Sequence, residues 1–302
     1  MKTAKKHTKN NKSRRIRGID QRKALVGYLF CLPWLIGFIA FTAWPLISSF
    51  RMSLNRVGIG AHGLELTYVG VDNFVYSLTM DLPFLTGLIE SIRFVAILTP
   101  LIIVLSLIIG LLLHATKRFK GLFRALYFLP VIIVSGSLIT ILTNNGVFDI
   151  VSPNDEGLFR WIYSAGLGPV AFVIEFLISN IFNVLWFSGV QILIYLSGLQ
   201  KGNPSIYEAA SIDGATAWQC FWKITLPSLS QFTILNVLYT VTMLATFPNN
   251  PVILSIRENM FHPRTGLGYS SALSWIYLIV ILVILFTYLT LAGLRPGRRK
   301  GV

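Results

Sequence analysis

Charged side chains are scarce in this sequence. Asp, Glu, Lys and Arg together make up 13% of the 302 residues, whereas 54% of the residues are hydrophobic and the mean hydropathy is +0.67. Soluble domains contain about 25% charged residues. The composition therefore excludes an ordinary soluble domain and indicates a polytopic membrane protein.

Cysteine and histidine are also rare. The two cysteines, Cys31 and Cys220, lie far apart, and the four histidines lack the spacing of metal ligands. We therefore expect neither a disulfide nor a metal site. No G-x-x-x-x-G-K-[ST] segment and no cluster typical of nucleophilic catalysis occurs in the sequence, so we predict a chain that is not an enzyme and binds no cofactor of its own.

The formal net charge of +14 arises mainly at the N-terminus. No aromatic side chain interleaves the basic residues there, and the long apolar run Ala24–Phe50 follows at once. This pattern favours a solvated cytoplasmic tail over residues 1–23 and argues against a nucleic-acid-binding arm. The apolar run is longer than the core of a signal peptide, so we do not expect it to be cleaved.

Six apolar stretches approach or exceed the length of roughly 20 residues that a bilayer requires. They are Ala24–Phe50, Phe94–Ala115, Ala125–Leu142, Phe172–Leu196, Ser228–Pro248 and Ser271–Leu294. The sequence therefore predicts an all-α membrane protein with six transmembrane helices, forming one domain over residues 24–302 with a core over residues 88–294.

The distribution of Lys and Arg predicts the orientation. Most of the 26 basic residues lie in the tail, in two of the connecting segments and at the C-terminus, all on one side of the predicted membrane. The basic residues on the other side are Arg51, Arg56, Arg93, Arg160, Arg257 and Arg264. Because cytoplasmic segments carry the excess of Lys and Arg, both termini and the loop over residues 200–227 are predicted to be cytoplasmic. Arg51–Glu90 is then extracellular, with Gly58, Gly60 and Gly63 marking turns.

The segment Glu208–Pro227, EAASIDGATAWQCFWKITLP, is the most polar interval in the second half of the chain. Ser205 and Glu208 have the spacing of a capping box, and Asn203 before Pro204 is a competing helix start. An apolar stripe at helical spacing follows, formed by Tyr207, Ala210, Gly214, Trp218 and Phe221. These features fit either an amphipathic helix on the membrane surface or a docking helix whose small residues allow close contact.

This segment resembles the EAA loop of ABC-importer permeases, and in particular that of the sugar-importer permeases of the maltose and glycerol-phosphate type. The resemblance rests on E-A-A, G and I-x-L-P at their family spacing, and on Leu199-Gln200 just before them. Tyr68–Phe74 and the proline-bracketed first span also resemble this family. One departure is Phe247–Pro251, where family members often carry a glycine-rich TGGGP-like segment.

The resemblance implies a permease subunit in the cell membrane of a bacterium. Its expected partners are a second homologous permease, two ATPase subunits that bind ATP and Mg, an extracellular binding protein and the lipid bilayer. The loop would insert into a cleft of an ATPase subunit as a coupling helix. The docking residues implied are Glu208, Ala209, Ala210, Asp213, Gly214, Ile224, Leu226 and Pro227. Leucine at Gly214 is expected to disturb assembly more than leucine at Ala217, although leucine is the better helix former.

The substrate pathway is predicted in the spans that flank this loop, because a sugar needs aromatic faces and hydrogen-bonding side chains. The candidates are Trp186, Ser188, Gln191, Tyr239, Thr240, Met243 and Phe247. Packing between helices is the alternative explanation for the same side chains, since Ser, Thr and amide groups also join transmembrane helices.

The scarcity of charge in the spans predicts an uncharged or weakly charged carbohydrate, an oligosaccharide, that moves inward. A glycerol-phosphate-type ligand would require a cation in the cavity, and Arg93 at the border of the second span is the nearest candidate. A secondary transporter is the alternative from another class, and it would be expected to place several ionisable residues within its spans.

Overall fold

The computed structural model describes residues 26–60, 63–116 and 181–291, together with Gly121 and Ser164. This part of the chain is mainly helical, as predicted. Its elements are α1 (Val26–Ser53), β1 (Asn55–Gly60), β2 (Gly63–Tyr68), α2 (Asp72–Thr79), α3 (Leu82–Ala115), α4 (Ile181–Phe187), α5 (Gly189–Gln200), α6 (Pro204–Ile212), α7 (Ala217–Ser228), α8 (Ser230–Ala245), α9 (Pro251–Met260) and α10 (Gly266–Leu291).

Three of the described helices, α1, α3 and α10, are long and apolar enough to cross a membrane. Helices α7 and α8 meet the same criterion only as a pair, which is bent by 62°. These elements agree with the first, second, fifth and sixth predicted spans. The fourth predicted span is described from residue 181 onward, as α4 and the short apolar α5, and Ala125–Leu142 lies outside the described residues. The count of six is therefore not confirmed.

The chain divides into two compact units, and α2, α9 and α10 contribute residues to both. The described residues of Met1–Tyr76 and Asn259–Trp275 belong to the first unit, and those of Ser77–Glu258 and Ile276–Val302 belong to the second. In the first unit, α1 exposes most of its apolar side chains, including Phe30 and Phe41. A soluble protein would bury such a surface, whereas a membrane helix presents it to lipid.

A β-hairpin in the first unit departs from the prediction of helices and turns. Strands β1 and β2 pair antiparallel from Asn55 opposite Tyr68 to Gly60 opposite Gly63. Gly58 thus lies within a strand, opposite Glu65, and does not mark a turn. The Asn73 amide donates to the carbonyls of Ser53 (2.9 Å) and Asn55 (3.2 Å), which fastens the hairpin to α2.

The core of the second unit forms where α3, α4 and α8 meet. Val95, Leu98 and Ile102 supply one face of α3, and Phe187 and Leu244 pack against it from α4 and α8. These side chains are at most 2% exposed, so the contact is as close as in a soluble core. Helix α5 packs on the following turns of α3 through Ile109, Leu113 and Ile192.

A proline within α3 has a partner on another helix. Pro100 has no backbone N–H, so the carbonyl of Ala96, four residues earlier, loses its usual helical donor. The hydroxyl of Tyr288 on α10 donates to this carbonyl. The proline is therefore accommodated because a neighbouring helix restores the missing hydrogen bond.

Gly198 allows a close approach between α5 and the start of α8. A Cβ atom at Gly198 would lie 2.7 Å from the Phe232 ring and 2.8 Å from a methyl group of Leu229. Leu229 is 1% exposed and has no room to move. This contact holds the end of α5 against the start of α8, shortly before α6 begins.

Candidate functional site

Helix α6 begins at Pro204 with Asn203 as its cap, which was the alternative helix start. The capping box predicted at Ser205 and Glu208 is wrong. The Asn203 side chain caps the helix by accepting from the Ser205 backbone N–H at 3.1 Å, and Pro204 occupies the first turn. Proline needs no acceptor at this position, so Asn203-Pro204 is the stronger start signal. Glu208 is consequently not needed for capping, and its side chain is exposed.

Helix α6 ends before Gly214, so the predicted continuous stripe is broken. Gly214 has a φ of +76°, in the left-handed region. The Ala215 N–H bonds to the Ala210 carbonyl at 2.9 Å, and the Gly214 N–H bonds to the Ser211 carbonyl at 3.1 Å. These two bonds form a Schellman motif, which satisfies the last carbonyls of the helix. Gly214 is therefore a helix terminator, and a Cβ atom at this position would meet no atom outside the turn within 4 Å.

A capping box does occur in the loop, but at the start of α7. The Thr216 hydroxyl accepts from the Gln219 backbone N–H at 3.3 Å, and the Gln219 side chain accepts from the Thr216 N–H at 2.9 Å. Threonine and glutamine three residues apart are a recognised sequence signal that the prediction overlooked. Helix α7 continues through a π-helical segment, Phe221–Thr225.

Helices α6 and α7 are joined by a hydrogen bond between Tyr207 and Thr225. Their hydroxyl groups are 3.0 Å apart, and the Thr225 hydroxyl also lies 3.3 Å from the Cys220 carbonyl. Thr225 is 7% exposed, so the contact is largely shielded from water. The loop is therefore a compact pair of helices with α6 held against α7.

The predicted docking residues lie mostly on the surface of this pair. Glu208, Ala209, Asp213, Gly214 and Pro227 are exposed, and Ala210, Ile224 and Leu226 are half-buried. Glu208 and Tyr207 also line a cavity of about 610 Å³ to which His114, at the end of α3, contributes. An exposed acid, small neighbouring side chains and an adjacent cavity give the loop a surface that a partner protein can contact.

An exposed aromatic cluster extends this surface along α7. Trp218, Phe221 and Trp222 pack against one another with ring centroids 5.2 to 6.2 Å apart. Trp218 is 69% exposed and Trp222 is 49% exposed. Mutual packing holds the rings in fixed positions although they remain open to a partner or to lipid.

Two predicted pathway residues, Gln191 and Thr240, join α5 to α8. The Gln191 side-chain amide donates to the Thr240 hydroxyl at 3.0 Å, and the Asn236 side-chain amide donates to the backbone carbonyl of Gln191 at 3.4 Å. All three residues are fully buried. Among the described residues, Oε1 of Gln191 and Oδ1 of Asn236 have no hydrogen-bond partner. Asn236 belongs to this cluster but was not predicted.

The other pathway candidates occupy different environments. The Ser188 hydroxyl is buried and donates to the Leu185 carbonyl at 2.8 Å, whereas Tyr239 is 36% exposed. Trp186, Met243 and Phe247 pack at the edge of the main core. The structure brings Gln191 and Thr240 into contact and does not bring all the candidates around one space, so the pathway assignment stays a prediction.

Phe247 also lines a cavity of about 380 Å³ together with residues outside the predicted pathway set. Glu90, Arg93 and Phe94 come from α3, and Asn249 comes from the loop after α8. These residues are far apart in sequence, and periodicity alone gives no signal that they meet.

Known proteins that are similar to this chain are named as transport permeases. No protein-family model matches the chain. The arabinooligosaccharides transport system permease protein AraP of Bacillus subtilis is 27% identical over an alignment that covers 93% of this chain and 93% of AraP. The inner membrane ABC transporter permease protein YcjO of Escherichia coli is 30% identical over 221 residues, which cover 72% of this chain and 73% of YcjO.

A solved structure shares the fold. It is the crystal structure of a bacterial ABC transporter involved in the import of the acidic polysaccharide alginate; the matched chain is 20% identical, with a TM-score of 0.58 over 92% of this chain and 98% of that chain. The apolar helices and the extent of the similarity to YcjO place this chain among the integral membrane proteins of bacteria, and it belongs to the family of ABC transporter permeases.

Proposed function

We propose that this permease carries a neutral oligosaccharide into the cell and draws energy from ATP hydrolysed by separate subunits. The observation that carries the proposal is the similarity to AraP along nearly the whole chain, because AraP is named for the transport of arabinooligosaccharides. The paired helices α6 and α7 support it, since they present an exposed acid and apolar surface for a partner.

The assembly proposed for this function has four further protein subunits. A second permease completes the pathway, and an extracellular protein delivers the sugar. Two ATPase subunits bind ATP and Mg, and one of them receives α6. Both termini and α6 face the cytoplasm. The alginate transporter structure that includes a pentasaccharide-bound periplasmic protein supports the role of a binding protein, since its permease shares this fold.

Transport in reconstituted vesicles tests the proposal. The vesicles contain both permeases and the ATPase, with ATP enclosed and the binding protein outside. Labelled arabinotriose, lactose and maltose serve as neutral probes, and trimannuronate and glycerol 3-phosphate serve as anionic probes. We expect ATP-dependent accumulation of a neutral probe, which is lost when ADP replaces ATP or when the binding protein is omitted.

Two results would contradict the proposal. Accumulation of an anionic probe alone would exclude a neutral substrate, and accumulation driven by an ion gradient without ATP would exclude coupling to an ATPase. Neither result depends on the detailed position of any side chain in the pathway.

A further inference from the structure

A buried polar cluster fixes the loop that follows α8. The Asn250 amide donates to the Ser91 hydroxyl at 2.8 Å and to the Tyr277 hydroxyl at 3.0 Å, and its oxygen accepts from the Val252 N–H at 3.0 Å. The Tyr277 hydroxyl also donates to the Ala245 carbonyl at 2.9 Å. Because every polar atom of the Asn250 side chain is engaged, the loop has one defined position between α3 and α10.

A close contact reinforces this position. A Cβ atom at Gly87 on α3 would lie 3.1 Å from the Cβ of Pro251, so the absence of a side chain at Gly87 lets the loop approach the helix. Asn250 and Pro251 also form part of the wall of the 380 Å³ cavity. That wall is consequently built into the fold and does not depend on a ligand to form.

The remaining wall combines aromatic, amide and charged groups. It is lined by Glu90, Arg93, Phe94, Asn183, Phe247 and Asn249. The cavity volume falls within the range of about 300 to 1,000 Å³ that is typical of small-molecule sites. Sugar rings need apolar faces for stacking and several hydrogen-bonding groups for their hydroxyls, and both kinds of group are present here.

The aromatic side chains are held from behind by the core. The Phe247 ring packs edge-to-face on Phe187, with centroids 5.1 Å apart and planes at 90°. Phe187 is 2% exposed, so it cannot move without opening the core. Phe94 packs against the same core cluster from α3. Both rings are therefore preorganised at the cavity wall.

Two charged residues, Glu90 and Arg93, lie in the cavity wall. Glu90 and Arg93 are three positions apart on α3, so they lie on one face of the helix within a single turn. Both are exposed, and together they give the lining no net charge. A carboxylate on the ligand would be attracted by Arg93 and repelled by Glu90. Neutral sugar hydroxyls can instead donate hydrogen bonds to the Glu90 carboxylate and accept them from the Arg93 guanidinium.

We propose that this cavity is a binding subsite for one neutral sugar residue of the transported oligosaccharide, which stacks on Phe94 or Phe247 and hydrogen-bonds to Glu90 and Arg93. This inference rests on the proposed function, which places the cavity toward the extracellular end of the pathway. It assigns the choice between neutral and acidic sugars to a pair of residues outside the predicted pathway set.

Charge changes at the two residues test this subsite in the reconstituted transporter. Glu90→Gln and Arg93→Gln each remove one charged partner, and loss of a hydrogen bond to a charged group is expected to raise the KM for the neutral probe roughly tenfold. Glu90→Gln should also make trimannuronate a stronger competitor, and Arg93→Gln should make it weaker. Arg257 is exposed on α9 and does not line the cavity, so Arg257→Gln is the matched control. It should change neither the KM for the neutral probe nor the competition by trimannuronate.

The opposite effects of the two variants on competition separate binding from folding, because a damaged protein would not respond to ligand charge in two directions. Unchanged KM and unchanged competition in both variants would overturn the subsite while leaving the proposed function intact. Failure of the unaltered transporter to take up any neutral probe would instead overturn the proposed function.

Cysteine protection provides a second measurement where a charge variant does not assemble. In the complete transporter with Cys31 and Cys220 replaced by serine, Asn249→Cys is treated from outside with an impermeant maleimide. Arabinotriose, lactose or maltose, whichever the vesicles accumulate, should slow the labelling severalfold, and trimannuronate should not. Equal labelling with and without the transported sugar would also overturn the subsite.

Discussion

Pro100 and Tyr288 depend on each other although they lie on different helices. Proline removes the donor for the Ala96 carbonyl, and the Tyr288 hydroxyl replaces it. In a membrane no water is available to do this, so the tyrosine should contribute more to stability than its apolar packing alone.

Tyr288→Phe should lower the free energy of unfolding by roughly 1 to 3 kcal/mol, because it leaves the Ala96 carbonyl without a donor in the membrane. The loss should be smaller in a Pro100→Ala background, where the restored N–H can bond to Ala96. The coupling is measured by unfolding the unaltered protein, the two single variants and the double variant in detergent micelles. Tyr28→Phe, at an exposed position on α1, is the control. Identical losses in both backgrounds would show that the hydroxyl does not compensate for the proline.

Glu208 does not have the helix-capping role that the sequence predicted. Since Asn203 caps α6, the Glu208 carboxylate is not required by the helix that carries it. Its position on an exposed surface leaves it available to a basic partner.

Glu208→Lys should abolish ATP-dependent uptake and recovery of the ATPase with the permease, while the amount of permease in the membrane stays the same. Co-purification and uptake are the measurements. Glu258→Lys reverses the charge of an exposed acid on α9 and should leave both intact. If Glu208→Lys retains normal ATPase recovery, the docking role of this residue is wrong.

At the scale of elements, the backbone conformation of Gly214 changes the effect expected of leucine at this position. Leucine was expected to strengthen one continuous helix, but Gly214 lies at the Schellman turn with a φ of +76°. A left-handed conformation costs a residue with a Cβ roughly 1 to 2 kcal/mol, and asparagine tolerates it better than leucine.

Gly214→Leu should therefore destabilise the turn between α6 and α7 and reduce ATPase recovery, whereas Gly214→Asn should preserve most of it. Ala217→Leu, at the exposed start of α7, is the matched control for added bulk. Recovery of the ATPase and protease sensitivity of the loop are the measurements. Equal tolerance of leucine and asparagine at Gly214 would show that the backbone conformation of this turn does not matter for docking.

The sequence predicted the elements whose signals are local. Apolar length identified α1, α3 and α10, and Asn203-Pro204 marked the start of α6 among its alternatives. Gly214 after a helical stripe and the Thr216–Gln219 pair were also local signals, but they were overlooked in favour of one longer helix. A better weighting of glycine as a helix terminator would have divided α6 from α7.

The sequence could not predict contacts between distant segments. The hairpin requires two short strands to pair, and the cluster of Ser91, Asn250 and Tyr277 joins three elements. Glu90 and Arg93 meet Asn249 only because that cluster places the loop beside α3. These contacts depend on packing between helices, for which hydrophobic periodicity in one segment carries no information.

At the scale of the whole molecule, the orientation in the membrane is the property on which the proposed transport depends. The excess of Lys and Arg in the tail and around α6 predicts that α6 lies in the cytoplasm and that α9, which follows α8, lies outside. An ATPase can reach α6 only if this orientation holds, and a binding protein can deliver a sugar only to the opposite face.

Single cysteines on the two loops test this orientation directly. With Cys31 and Cys220 replaced by serine, Ser211→Cys lies on the exposed surface of α6 and Glu258→Cys lies on the exposed surface of α9. An impermeant maleimide should label Glu258→Cys in intact cells and Ser211→Cys only in inside-out vesicles, because the bilayer separates the two positions. Retained uptake in each variant is the control for correct insertion. Labelling of both cysteines from the same face would contradict the topology, and with it the docking of α6 on a cytoplasmic ATPase.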